Sequence, residues 1–523
     1  MPRTKKTKTD FPHDEHGRAI LGTAKEMAAW VKIGFEEQDE RKSPDDPFYQ
    51  PFIDLRKCVL YISYPLGSKT PSSRIFNMCD MAGIVPGIEE IKDNPNYLYE
   101  VKYDIHFDDS VLYGNFFHYV RFDGVVKMDN TTVLGSFSCF KCLFRGFTYL
   151  QKIHLQGGFD FEQCEFSKGL VMNYAEVGGI NAMFSNSIIK ERLSMIGAQF
   201  TKQEHSNPIE FNNCTVEKLN ISRISTEGLK ISVDSTSVHG MRMDDLKHEG
   251  VLVFNSCDLD GIITSVVVGK DKPYNVIKEL LFNSCDIKAQ YHIENSDIEK
   301  LEFSFGKIDD SGRLRLFQCN VEGLLFGSST VAGRLDIVQS KILSIDLDGT
   351  CVQGFINFQA NEVKKYENRQ TLSLLKNEAL KVNDEVSALP LYAQEMESLL
   401  SDNRISCWDK VSLWLNKLFS NYGESWTRAF WVTLGFSVAL TLLMLGVGSS
   451  KYMFDPSCHF IGFGPFVTIL LDSINVFSIP LFSDTIEKYE LNVFGQILYF
   501  IIKVVVAYGV YQFVVAFRKH GRR

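Results

Sequence analysis

The sequence predicts a mixed fold, in which a parallel β-helix is followed by a helical connector and transmembrane helices. Three observations predict it: a repeat of about twenty residues across the middle of the chain, a charge-free apolar run at 429–448, and a second apolar run at 493–517 that ends in basic residues.

The repeat occupies 101–360. A small residue, then any residue, then a large apolar one recurs among turn formers. Instances are Cys142-Leu143-Phe144, Cys164-Glu165-Phe166, Cys214-Thr215-Val216, Cys257-Asp258-Leu259, Cys285-Asp286-Ile287, Ser296-Asp297-Ile298, Cys319-Asn320-Val321 and Ser340-Lys341-Ile342. Leu316 and Ile337 lie 21 residues apart, and Ile337 and Ile356 lie 19 apart. A period this short describes a solenoid whose coils bury their apolar faces against neighbouring coils. Alternation such as Phe-Asn-Ser-Cys-Asp-Leu does not suit a helix, and short strands between Asn, Asp, Gly and Ser suit a parallel β-helix. Small Cys and Ser then sit where the interior is narrow. At about 4.8 Å per coil the region makes roughly ten to thirteen coils, and insertions such as 264–275 bulge from its side.

The run at 429–448 has no charged side chain and, at about 1.5 Å per residue, covers the ~30 Å hydrocarbon layer of a bilayer. The run at 493–517 is interrupted only by Lys503. Lys410, Lys417 and Arg428 precede the first span, and Arg518, Lys519, Arg522 and Arg523 follow the second. Basic residues at both outer ends place both ends in the cytoplasm. Between the spans, 459–482 is apolar but contains Pro465, Asp472, Asn475 and Pro480. A third full crossing contradicts the charge distribution, which leaves a re-entrant segment or an interfacial loop.

Lys503 lies too deep for easy escape to water, and an ionisable group near mid-bilayer costs about 3 kcal/mol on insertion scales. Helical spacing puts Gln496, Tyr499, Lys503 and Ala507 on one face. Lys503, Asp472, Gln496, Tyr499 and Asn475 are therefore pore or gating candidates, with Lys503 paired to Asp472. Against this stands a snorkelling lysine, or an ion pair that only fixes helix packing. Trp408, Trp414, Lys417 and Trp426 are the membrane-interface candidates, since 408–419 is a short amphipathic helix of aromatics and lysines suited to the headgroup layer. Upstream, 371–400 has helical periodicity with Pro390 in the middle, and reads as two helices or one kinked helix.

The expected organisation is a basic tail and helix (1–45, the helix at 21–40), an irregular cap (46–100), the β-helix (101–360), a connector with the interfacial helix (361–420) and the transmembrane domain (421–523). The amino terminus has Arg3, Lys5, Lys6 and Lys8 but no apolar stretch after them, unlike a secretory signal. A net charge of -9 argues against nucleic-acid binding. Twelve cysteines in a long chain without a signal read as free thiols, six of them in the repeat's small slot. Cys139 and Cys142 form a CxxC without a second pair at zinc spacing, so no metal is expected. The eleven histidines are scattered, with no HExxH, GxSxG or phosphate-loop motif, so no catalytic residue, enzyme activity or cofactor is expected. His106 and His118 face a pocket near the first coils or lie at an edge.

Cys-Asp-Leu, Cys-Asp-Ile, Ser-Asp-Ile and Cys-Asn-Val resemble the A(D/N)LXX unit of pentapeptide-repeat proteins, with Cys or Ser in place of Ala and many coils lacking the unit. That resemblance implies a right-handed β-helix with small and leucine-like side chains inside. The stretches LSLLKNEALKVNDEVSALPLYAQEME, SLWLNKLFSNYGESWTRAFW and QFVVAFRKHGRR resemble a group of bacterial membrane proteins. In these a pentapeptide-like domain joins a two-helix, ion-channel-like module. The resemblance runs from residue 101 to the end and transfers no functional residue. It implies a multi-pass protein of the cell inner (cytoplasmic) membrane with both termini cytoplasmic, contacting membrane lipids. Two functions fit. One is a homo-oligomeric pore whose cytosolic β-helix senses a signal, in a bacterial stress or phage-defence setting. The other is a membrane-tethered scaffold whose β-helix binds a protein partner while the helices only anchor.

Overall fold

The computed structural model describes residues 7–41, 51–60, 82–92, 94–113, 117–179, 181–201, 209–226, 228–266, 275–402, 404–449, 463–475 and 490–521. The chain divides into two compact units, Met1–Lys365 and Tyr366–Arg523.

The first unit is a β-solenoid of about 11 turns, its strands arranged in sheets of seven, 24 and 12 strands. One coil shows the plan: Phe137–Phe140, Leu143–Phe144, Thr148–Tyr149 and His154–Leu155 are four short strands, each paired in parallel with its counterpart in the next coil. Hydrogen bonds between adjacent coils link residues 21, 22 or 23 positions apart. The period is thus slightly longer than the sequence pattern suggests. Leu316 does pair with Ile337, but Ile337 pairs next with Phe358, and Ile356 belongs to the neighbouring register with Leu335. Of the 264–275 insertion, residues 267–274 lie outside the described residues.

Parallel pairing in register stacks like on like. Phe254 pairs with Phe282, Phe282 with Phe303 and Phe303 with Phe326. The rings of Phe122, Phe144 and Phe166 stack at 4.9 and 4.6 Å, nearly parallel. These separations equal the spacing between strands, so each ring continues its own ladder.

The small slot of the repeat is a corner, and its chemistry is narrower than size alone. The residue before it takes the left-handed conformation, as at Lys141, Gln163, Asn213, Ser256, Ser284 and Gln318. The corner side chain then donates back across the coils. Cys257 Sγ lies 3.0 Å from the Val233 carbonyl oxygen, Cys285 Sγ 3.2 Å from that of Phe254, and Ser187 Oγ 3.0 Å from that of Phe161. Thr236 and Ser329 do the same toward Phe211 and Phe303. Cys, Ser and Thr are interchangeable there because each is a compact donor for a backbone carbonyl of the preceding coil. Burial pushes the Cys214 and Cys319 thiols up to about 11.

The coils begin earlier than the repeat pattern suggests. Ala19–Leu21 pairs with Cys58–Leu60, which pairs with Val111–Tyr113, and Phe52–Asp54 pairs with Asp104–His106. Helix α1 (Ala24–Arg41) leaves the ladder between these first strands and buries Met27, Trp30 and Val31. It covers part of an end that would otherwise expose apolar side chains and unpaired strand edges. The last strand, Glu362–Tyr366, closes the 12-stranded sheet. His106 stacks on Phe52 at 4.4 Å, while His118 packs edge-on to Phe140.

The second unit contains α2 (Arg369–Lys381), α3 (Glu385–Leu400), α4 (Cys407–Ser420), α5 (Trp426–Gly448), α6 (Phe463–Ile474) and α7 (Val493–Gly521). The side chains of Asn368, Asp384, Ser406 and Ser425 accept hydrogen bonds from the first-turn amides of α2 to α5, so each start is written in the sequence. The 371–400 region is two helices. The break falls at left-handed Asn383 rather than at Pro390, which stays inside α3 and is accommodated there.

Candidate functional site in the carboxy-terminal helices

Helices α5 and α7 are long and apolar enough to cross a membrane. They pack antiparallel: Gly448 meets Gly495 at one end, Thr433 meets Gly509 further along, and Trp426 meets Phe513 and Phe517 at the other end. The contact is close. A Cβ on Gly448 would lie 2.4 Å from Gly495 Cα, and one on Gly509 would lie 2.1 Å from Thr433 Oγ1. Small residues that let backbones meet are how helices associate where lipid removes the hydrophobic drive between them. Asn492 fixes the turn into α7, accepting from the Gly495 amide at 2.8 Å while its own amide donates to the Gly448 carbonyl at 2.8 Å.

Helix α6 has 12 residues, so its ~18 Å length is too short to span the ~30 Å hydrocarbon layer. It buries Ile469 in a cluster with Met444, Leu445, Leu498, Tyr499, Ile502 and Val506. Residues 459–462 and 476–482 of the predicted segment, Pro480 among them, lie outside the described residues.

At the carboxyl end of α6 sits Lys503, only 6% exposed. Its Nζ donates to the backbone carbonyl oxygens of Asp472 at 2.5 Å and Asn475 at 2.7 Å. The ammonium also lies 5.1 Å from the centroid of the Tyr499 ring, and the Tyr499 hydroxyl donates to Asp472 Oδ2 at 3.1 Å. A helix leaves its last carbonyls without partners and carries partial negative charge there. Lys503 answers both. Two hydrogen bonds to a charged donor, at about 1.5–3 kcal/mol each, are enough to offset an insertion cost of about 3 kcal/mol.

The structure therefore brings together four of the five pore or gating candidates: Lys503, Asp472, Asn475 and Tyr499. The fifth, Gln496, stands apart. It is exposed, and its side-chain amide donates to the Leu491 carbonyl at 3.1 Å. The predicted Gln496–Tyr499–Lys503 stripe divides because the buried face of α7 runs through Gly495, Leu498, Tyr499, Ile502, Lys503, Val506 and Gly509, which leaves Gln496 to one side.

Of the interface candidates, Trp408 is 83% and Trp414 51% exposed, along with Val411, on the outward face of α4. Lys417 pairs with Glu397, and Trp426 packs edge-on against Phe513 and Phe517.

Set against protein-family models, curated proteins and solved structures, the chain matches none of them. What it does rests on its own geometry.

One group of residues has no counterpart in the sequence reading. Gln512, 5% exposed, receives the Ser420 hydroxyl at 2.9 Å on its Oε1, and its Nε2 donates to Asn416 Oδ1 at 2.6 Å. The Tyr508 hydroxyl donates to the same Asn416 oxygen at 3.1 Å, and the Ser420 hydroxyl receives the Gly423 amide at 2.9 Å. Phe419 packs beside this network against Phe436 and Tyr508. The network welds α4 to the outer end of the hairpin. The one available signal was Gln512, a full amide within an apolar run. Among the described residues no group of three or more His, Cys, Asp or Glu is placed to hold a metal.

Proposed function

We infer that the chain is a membrane-anchored β-solenoid protein whose solenoid binds a partner and whose carboxy-terminal helices hold it at the cytoplasmic face of the inner membrane. One observation carries the reading: Lys503, the one charged side chain within the apolar run of α7, points inward and holds the end of α6, while the outward faces of α5 and α7 are apolar. Trp431, Leu442, Phe500, Val504 and Val514 are exposed, and only 22% and 33% of the most apolar stretches of the two helices is buried. A core helix of a soluble protein is covered nearly all round, so these faces call for lipid. The antiparallel packing puts Arg428 at the same end as Arg518 and Lys519, consistent with both ends lying in the cytoplasm.

The deciding experiment replaces 421–523 by an unrelated two-helix anchor and follows any cellular phenotype of the protein. A tethered scaffold keeps its function; loss of function with normal abundance and membrane placement defeats the reading.

A second reading, an oligomeric ion-conducting pore of a stress or phage-defence effector, is favoured by a different observation. A short helix ends beside the middle of α7 in a polar knot of Asp472, Tyr499 and Lys503, and irregular backbone at membrane depth is tolerated where protein covers it or water lines it. Two spans per chain do not enclose a pore, so several copies must assemble. Planar-bilayer recordings decide: single-channel currents abolished or rectified by Lys503→Leu support a pore.

A further inference from the structure

Beside the basic end of the hairpin, α2, α3 and the last turns of α7 line an open-sided cavity of about 360 Å³, within the range of small-ligand sites. Leu380, Ala388 and Leu389 give it apolar walls, while Lys376, Arg518 and Lys519 bring positive charge to it.

Charge in this cavity is unbalanced. The ammonium groups of Lys376 and Lys519 both converge on the Tyr392 ring, at 5.7 and 4.8 Å from its centroid. Lys376 has a carboxylate, Glu395 Oε2 at 2.7 Å. Lys519 is only partly exposed, and among the described residues no carboxylate lies within ion-pair distance of it or of Arg518. Glu385, in the cavity wall, attracts Lys519 at longer range. The position of Lys519 is also built for: Gly423, in the left-handed region at φ +88°, leaves room for it, since a Cβ there would lie 3.1 Å from Lys519 Nζ. Two cations drawn to one ring, with only one carboxylate bonded between them, leave room for an anion that meets both.

We propose that this cavity binds a phosphate-bearing anion, the head group of an acidic phospholipid or a free phosphate, through Lys519, Arg518 and Lys376. Arg518 and Lys519 follow directly on the apolar run of α7, which sets the cavity at headgroup depth. Basic pockets beside spanning helices on the cytoplasmic side recognise such head groups. The lipid source rests on the membrane reading above; the phosphate chemistry does not.

The test uses the full-length protein in neutral detergent. It measures the shift in thermal midpoint, and binding by native mass spectrometry, with short-chain phosphatidylglycerol, short-chain phosphatidylcholine and inorganic phosphate. Phosphatidylglycerol binds and phosphatidylcholine does not, and Lys519→Gln and Arg518→Gln each weaken binding about fivefold. Lys288→Gln, which removes a charge paired with Asp258 on the solenoid, outside the cavity, leaves binding unchanged. A stronger response to phosphatidylglycerol identifies the lipid as the source; an equal response to inorganic phosphate identifies a soluble one. Equal binding of phosphatidylcholine, or binding untouched in the Lys519→Gln, Arg518→Gln double variant while Lys288→Gln behaves as wild type, overturns the proposal. Fractionation of cells reports separately on the membrane reading: were the protein soluble, the phosphate arm would be run in plain buffer and still judge the cavity.

Discussion

Lys503 donates to the backbone carbonyl oxygen of Asn475 at 2.7 Å, one turn of chain beyond its bond to Asp472. The side chain is thus a cap supplied by one helix to the carboxyl end of another. Lys503→Met keeps the length and apolar stem but leaves those carbonyls without their donor, at about 1–3 kcal/mol for each buried group left unsatisfied. The expected outcome is a lower thermal midpoint in detergent and faster thiol labelling of a cysteine placed at Ile474, with Lys503→Arg close to wild type. A Lys503→Met protein as stable and as protected as wild type would show that the cap carries no energy.

Gly509 lies close against Thr433 where the two long helices pack. Gly509→Ala places its Cβ 2.1 Å from Thr433 Oγ1 and 2.8 Å from Thr433 Cβ, so the helices must part, at roughly 1–3 kcal/mol for an overpacked contact. Thr433→Ala removes Oγ1 and Cγ2, the two nearest atoms, and is expected to restore part of the loss. A double-mutant cycle on thermal unfolding in detergent measures this, and strict additivity would mean the two positions do not meet.

The corner residues make a chemical prediction. Cys285→Ser keeps a donor for the Phe254 carbonyl and stays near wild type, whereas Cys285→Ala loses about 1 kcal/mol with the missing hydrogen bond, and Cys285→Leu loses about 1–3 kcal/mol by overpacking the corner. Denaturant unfolding followed by the β-sheet signal ranks the three. An Ala variant as stable as Ser would reduce the slot to a matter of size.

The period of the solenoid was legible because in-register parallel pairing forces the same residue type to recur at the same corner, as at Cys142, Cys164, Cys214, Cys257, Cys285 and Cys319. Its exact length was not, because Ile337 and Ile356 are both buried on one sheet yet in different rows of the register. The first coil was hidden because Ala19–Leu21 and Cys58–Leu60 are too short to show alternation and α1 lies between them. Lys503 stood out as a lone charge in an apolar run, but the Asp472 and Asn475 oxygens it binds belong to the backbone, which a sequence cannot mark. The Asn416–Ser420–Gln512 network joins residues 92 and 96 positions apart, beyond the reach of any local pattern.

The solenoid is expected to weaken in mild acid, and His106 shows the sign. Burial holds its imidazole below the ordinary value of 6.5, with Arg56 pushing the same way and Asp108 and Asp104 opposing. The unfolded chain takes up a proton at the ordinary value while the folded one resists. Stability is therefore fully present above about pH 6.5 and falls as the pH drops below it, until the folded imidazole also titrates. His118 and His292 are lowered by burial in the same direction, so His106→Gln removes part of the slope rather than all of it. Thermal midpoints between about pH 7.5 and about pH 5.5, above the range where most carboxylates titrate, compare the two proteins. A slope identical in His106→Gln and wild type would mean that the folded protein protonates His106 as readily as the unfolded chain does.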